Sequence, residues 1–215
     1  MPFSLVLNSN FVPFAGLVFM LVFACINPLF EKRQTRLFIV AILVNLVLLA
    51  AISADYIFET LHYENMWIWR RITSFLNFAA CPVVPFLLLT IFNRAETKKI
   101  YYLPITVNAV LCFLSMFVNI VFFISEENTY ARGPLFFLPF LTTVIYILVL
   151  IVKPSARHVQ SRRVERAFLL GIVALLVGCM ILEIAGGLYF LSWDCSALGL
   201  FLYYLLLTTA TSWTR

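Results

Sequence analysis

Residues 37–56 read LFIVAILVNLVLLAAISADY, and from Leu37 to Ile52 the only polar side chain is Asn45. About 20 such residues, rising about 1.5 Å each as a helix, cross about 30 Å of hydrocarbon. Immediately before the stretch stands EKRQTR (31–36), with three basic side chains. Immediately after it stands IFETLHYEN (57–65), with two glutamates and no Lys or Arg. An apolar helix with cations at one end and anions at the other reads as a membrane span whose basic end faces the cytoplasm.

The rest of the chain repeats this pattern. Of its 215 residues, 63% are hydrophobic and 12% charged, against about 45–50% and about 25% in a soluble domain. Seven apolar runs predict spans at Phe11–Phe30, Leu37–Tyr56, Trp67–Phe92, Ile100–Ile124, Leu135–Val152, Ala167–Leu191 and Ala197–Thr211. The opening MPFSLVLNSN has no basic region and no small-residue cleavage site follows the first run, so that run is not read as a cleavable signal peptide.

The basic residues fix the expected orientation. EKRQTR, NRAETKK (93–99), KPSARHVQSRRVER (153–166) and Arg215 together hold 12 of the 15 Lys and Arg. The alternate loops, IFETLHYEN and SEENTYARGP (125–134), are acidic and hold only Arg132. The expected fold is therefore all-α: a single domain over 1–215, an integral membrane bundle of seven transmembrane helices, amino terminus outside and carboxyl terminus cytoplasmic. The net charge of +5 is explained by this bias, so the partner implied is the lipid bilayer and not nucleic acid.

Few residue types offer chemistry. Cys25, Cys81, Cys112 and Cys179 fall within predicted spans, and Cys195 near the outer surface has no outer-loop partner. His62 and His158 fall on opposite sides, so neither a disulfide framework nor a metal site is expected. Nor is a cofactor. No glycine-rich phosphate loop, catalytic Ser-His-Asp or Cys-His grouping, paired intramembrane carboxylates or mid-span lysine for a retinal Schiff base is present, so the chain is not read as an enzyme.

Polar residues inside spans are costly and usually face the bundle interior. Arg70, Ser74, Asn77 and Cys81 share one helical face, as do Asn108, Cys112, Ser115 and Asn119. Glu183 is the one carboxylate well inside a span. The orientation puts Arg70, Arg71, Asn77, Asn119 and Glu183 at similar depth near the outer leaflet, with Trp67, Trp69 and Trp193 at the same rim. The candidate ligand site is thus Arg70, Arg71, Asn77, Asn119, Glu183, Trp67 and Trp193, open to a small extracellular ligand. Two guanidinium groups favour a carboxylate or phosphate.

The same residues also fit a purely structural role. Either arginine would pair with Glu183 or snorkel to headgroups, the asparagines would bond helix to helix, and the tryptophans would form an aromatic belt. Pro82, Pro85, Pro104 and Pro139 are expected to kink helices.

The end of the chain, ALGLFLYYLLLTTATSWTR, resembles the last membrane helix of bacterial multi-pass GGDEF-type diguanylate cyclases, where such a helix leads into the catalytic domain. RRITSFLNFAACPVVPFLLLTIF (70–92) is similar to the third span of that family. GPLFFLPFLTTVIYILVLI (133–151) is similar to its fifth span, and RRVERAFLLGIVALLVGCMILE (162–183) to its sixth. A similar module precedes sensor histidine kinases. The resemblance implies a sensory region cut before its output domain, acting as a homodimer and signalling through its last helix. The Gly-Gly-Asp-Glu-Phe signature itself is absent, so no catalytic residue is implied. The alternative is a small seven-helix transporter of a polar solute. Such folds are built from repeated three-helix units, and the first and last three spans show no such repeat.

Overall fold

A computed structural model describes residues 2–26, 32–60, 65–92, 99–152, 159–186 and 191–212. They are mostly helical: α1 (Pro2–Ile26), α2 (Lys32–Thr60), α3 (Met66–Ala80), α4 (Val83–Phe92) and α5 (Tyr102–Leu114), then strands β1 (Phe122–Ile124) and β2 (Tyr130–Arg132), then α6 (Leu138–Val152), α7 (Val159–Gly186) and α8 (Leu191–Ser212). His62, His158 and Arg215 lie outside the described residues. Each predicted span overlaps a helix. Lys32–Thr60 and Met66–Ile91 are long and apolar enough to cross a membrane by length and composition, and the other apolar helical stretches are shorter.

The helices close into a ring. α2 packs on α1, α3, α4 and α8; α3 meets α5, α5 meets α6, α6 meets α7, α7 meets α8, and α8 returns to α1. The main core joins Leu17 and Met20 of α1, Phe38 and Ile42 of α2, Leu89 of α4, Tyr146 of α6 and Tyr203 and Tyr204 of α8. In a soluble bundle the polar side chains point out. Here Asn45, Arg70, Ser74, Asn77, Asn108 and Thr142 are buried, while Phe11, Phe19, Phe23, Phe113, Phe117 and Leu141 are more than half or about half exposed.

The fourth span is not one helix to Ile124. α5 ends at Leu114, and the chain turns into an antiparallel hairpin that pairs Phe122 with Arg132 and Ile124 with Tyr130. This corrects the far end of the expected fourth span, within a chain whose described residues are mostly helical. Ser115 makes the turn: its hydroxyl donates to the Leu111 carbonyl at 2.7 Å and accepts from the Val121 N–H at 2.9 Å. Phe122 then stacks on Phe78 of α3, ring centroids 5.4 Å apart, which seats the hairpin on the bundle.

The prolines do two different things. Pro82 breaks the third span between α3 and α4. Having no N–H, it leaves the Phe78 carbonyl four residues back without a helical donor, and Asn108 Nδ2 of α5 donates to that carbonyl at 3.0 Å. Pro85, Pro104 and Pro139 do not kink their helices. They fall in the first turns of α4, α5 and α6, where a backbone N–H has no intrahelical partner to lose.

Candidate functional site

Arg70, only 2% exposed, is the centre of the polar cluster. It lies in the first turns of α3, beside the last turns of α2. Asp55 and Glu59 of α2 are four residues apart and therefore share a face. Arg70 Nη2 is 3.2 Å from Glu59 Oε1, and Nε is 3.7 Å from Asp55 Oδ1. Asp55 also accepts from the Thr73 hydroxyl at 2.9 Å and the Ser74 hydroxyl at 3.3 Å. Two charges drawn from water are tolerable only with such hydrogen bonds around them.

The hairpin completes the cluster. Arg70 Nη1 donates to the Asn128 main-chain carbonyl at 2.7 Å and to Asn128 Oδ1 at 3.2 Å. Asn128 Nδ2 in turn donates to the Phe58 carbonyl at 3.0 Å. Asn128 has φ 62°, a left-handed conformation that Asn accepts more readily than most residues. Tyr130 sits beside the same charges. Packing around its phenol raises its pKa above the ordinary range, Arg132 and Arg70 opposing this and Asp55 adding to it.

Arg71 turns to the other side of the hairpin. Its Nε and Nη2 donate to the Ile124 carbonyl at 2.9 and 2.6 Å, and its Nη1 to the Met116 carbonyl at 3.1 Å. The guanidinium carbon lies 4.5 Å from the Trp67 ring centroid and 5.2 Å from that of Phe123. A stacked guanidinium with three bonded nitrogens holds the hairpin to α3.

The structure therefore brings together Arg70, Arg71 and Trp67 of the expected site, but gives both arginines protein partners. Arg70 has Asp55 and Glu59 of α2 as its ionic partners among the described residues, and the expected pairing of an arginine with Glu183 falls on a side chain outside them. Asn77 is buried with its Oδ1 lacking a hydrogen-bond partner among the described residues, and Asn119 is exposed on the segment after α5. The side chains of Glu183 and Trp193 lie outside the described residues. Asp55 and Asn128 were missed in the sequence; the spacing of Asp55 and Glu59 at the end of an apolar span was the available signal.

A second polar line runs through α2. Ser53 accepts from Asn10 Nδ2 of α1 at 2.8 Å, and Asn45 Oδ1 accepts from the Ser196 hydroxyl of α8 at 3.4 Å. With the Asp55 contacts, α2 is thus tied by polar bonds to α1, α3 and α8. Cys195, expected to stand alone, lies with its Sγ 2.9 Å from Cys179 Sγ of α7. No family model, curated protein or solved structure matches the chain.

Proposed function

We propose that the chain is the membrane-embedded signal-input domain of a bacterial receptor: seven helices crossing the membrane, amino terminus outside, with α8 passing the signal to a cytoplasmic output domain of diguanylate cyclase type. The observation that carries the membrane part is the inverted distribution of side chains. Large apolar residues cover the outside while Arg70, Asn45, Asn77 and Asn108 are buried, which suits hydrocarbon and not water as the surrounding solvent. The alternation of basic and acidic loops supports the orientation.

The outer cluster is the natural receiving point in this reading. Glu59 is 44% exposed, so water and solutes reach the edge of the Arg70 network. A small anion arriving there competes with Asp55, Glu59 and Asn128 for Arg70. It loosens α2, α3 and the hairpin from one another, and so favours one of two helix arrangements. α2 is bonded to α8 through Asn45 and Ser196, which gives the change a physical route to the last helix. In a homodimer the second copy would meet the exposed stripe of Leu198, Leu202 and Leu205 on α8.

The test is a phase scan. The chain is fused to a diguanylate cyclase domain with zero to four alanines inserted after Arg215, and cyclic dinucleotide is measured in cells. A helix that transmits its orientation gives output that rises and falls with the helical period of about 3.6 residues. Output that is flat across the series at equal membrane abundance overturns the signalling reading.

A further inference from the structure

A cavity of about 320 Å³ lies between α4, α6, α7 and α8. Its wall is built from Val84, Leu88, Ile147, Leu169, Val173 and Leu200, among others. The break at Pro82 starts α4 afresh beside it, and Gly199 of α8 contributes no side chain to it. The three atoms nearest a Cβ on Gly199 would all belong to the Ile172 side chain, at 3.5–3.9 Å.

The few polar groups in the wall are turned to protein partners. Thr143 donates its hydroxyl hydrogen to the Pro139 carbonyl at 3.0 Å. Its oxygen lies 3.4 Å from Cys81 Sγ, so the thiol is the donor there. Ser196 gives its hydrogen to Asn45. Tyr203 stacks on Phe168, centroids 6.3 Å apart. Nothing among these groups asks for a polar ligand.

Size and shape narrow the occupant. A dry apolar cavity leaves its lining atoms without contacts on one side, and water does not replace them. At 320 Å³ it falls within the range of small-molecule sites. Along α6 the wall runs from Phe140 to Leu150, about 15 Å at the helical rise. The void is long, apolar and without hydrogen-bonding demand.

We propose that this cavity holds a single alkyl chain, supplied either by a bilayer phospholipid or by a free fatty acid. The site does not depend on signalling, so its test and the phase scan fail independently.

The experiment uses the full chain in phosphatidylcholine nanodiscs with two photoreactive probes: a fatty acid carrying a diazirine in its chain, and a phospholipid carrying the same chain. Cross-linked residues are mapped by peptide mass spectrometry. The expected result is labelling of wall residues such as Ile147, Val173 and Leu200 by at least one probe. The fatty-acid probe alone, displaced by unlabelled fatty acid, identifies a free acid; the phospholipid probe identifies a bilayer chain. Val173→Phe, which fills the void from α7, should reduce wall labelling about tenfold, an occupancy change of about 1.4 kcal/mol. Labelling of the exposed Val107 on α5 and Val118 on the segment after it should stay the same. Gly199→Val fills the void from α8 and serves if the first variant does not fold. Wall residues unlabelled by both probes in the unaltered chain, or labelled equally in a folded filled variant, overturn the proposal.

Discussion

Arg70 of α3 donates to the main-chain carbonyl of Asn128 at 2.7 Å, joining residues 58 positions apart. That bond docks the hairpin turn on the helix that also presents Arg70 to Asp55 and Glu59. One buried side chain thus ties α2, α3 and the hairpin, and an apolar Phe78–Phe122 stack underlies the junction.

Arg70→Met should therefore destabilise strongly. It keeps the packing of the stem but leaves Asp55 without its counter-charge. Breaking a buried pair costs about 3–5 kcal/mol, and the partial exposure of Asp55 (22%) and Glu59 (44%) places this case at the lower end. A loss of about 3 kcal/mol lowers the unfolding midpoint by roughly 6–12 °C in a chain of this size. Adding Asp55→Asn should recover part of it, because the stranded charge is gone. A double variant no more stable than the single one rules out the pairing as the source.

Asn108→Leu tests the repair at the break. Losing the donor to the part-buried Phe78 carbonyl costs about 1–3 kcal/mol. In a Pro82→Ala background the N–H of residue 82 is available to that carbonyl, so Asn108→Leu should cost less there by about 1 kcal/mol or more. Thermal midpoints of the four proteins give the coupling. Additive effects would show that Asn108 acts elsewhere.

Gly133→Ala addresses the hairpin. A Cβ at this position would lie 2.3 Å from the Ile120 carbonyl oxygen and 2.8 Å from the Val121 nitrogen. Both are backbone atoms that cannot swing aside, and Gly133 N–H is bonded to the Val121 carbonyl at 2.9 Å. Overpacking of this kind costs about 1–3 kcal/mol or more. The hairpin should loosen, and trypsin should cut faster after the exposed Arg132. An unchanged cleavage rate contradicts the role given to Gly133.

The helices were legible because their signal is local. Leu37–Tyr56 is long, apolar and flanked by opposite charges, and α2 lies where it predicts. Pro82 also marked a break. The hairpin was not legible, because Phe122, Phe123 and Ile124 are apolar like the helix before them, and a short apolar run does not declare strand or helix. The direction of the polar stripes was right for Arg70, Asn77 and Asn108, which are buried. The partnership of Arg70 with Asp55 and Glu59 was not visible, because the packing of α3 on α2 is decided by whole helices.

The proposed orientation predicts a labelling pattern. Glu126 and Glu127 are exposed in the hairpin turn, and Lys99 is exposed before the other end of α5. In a background without native cysteines, an impermeant maleimide should label Glu126→Cys in intact cells and Lys99→Cys only after permeabilisation. The reverse pattern inverts the topology, and labelling of both in intact cells means that α5 does not cross.

Cys179 and Cys195 supply a lock. Their sulfurs lie 2.9 Å apart, one in the second half of α7 and the other in the first turns of α8. Cys179 is buried and Cys195 half-buried, so a small oxidant reaches the pair through Cys195. Thiol–disulfide exchange with a small disulfide reagent would form the Cys179–Cys195 bond, the two electrons and two protons leaving on the reagent as two thiols. With a protease site inserted at 187–190, the two fragments should stay joined after oxidation and separate after reduction, and Cys179→Ser should abolish the joining. The link matters because α8 is the helix proposed to move. In the cyclase fusion, oxidation should hold output at one level whatever stimulus is present, and a reductant should restore its variation. Fragments that separate without reductant would show that α7 and α8 do not hold these two thiols together.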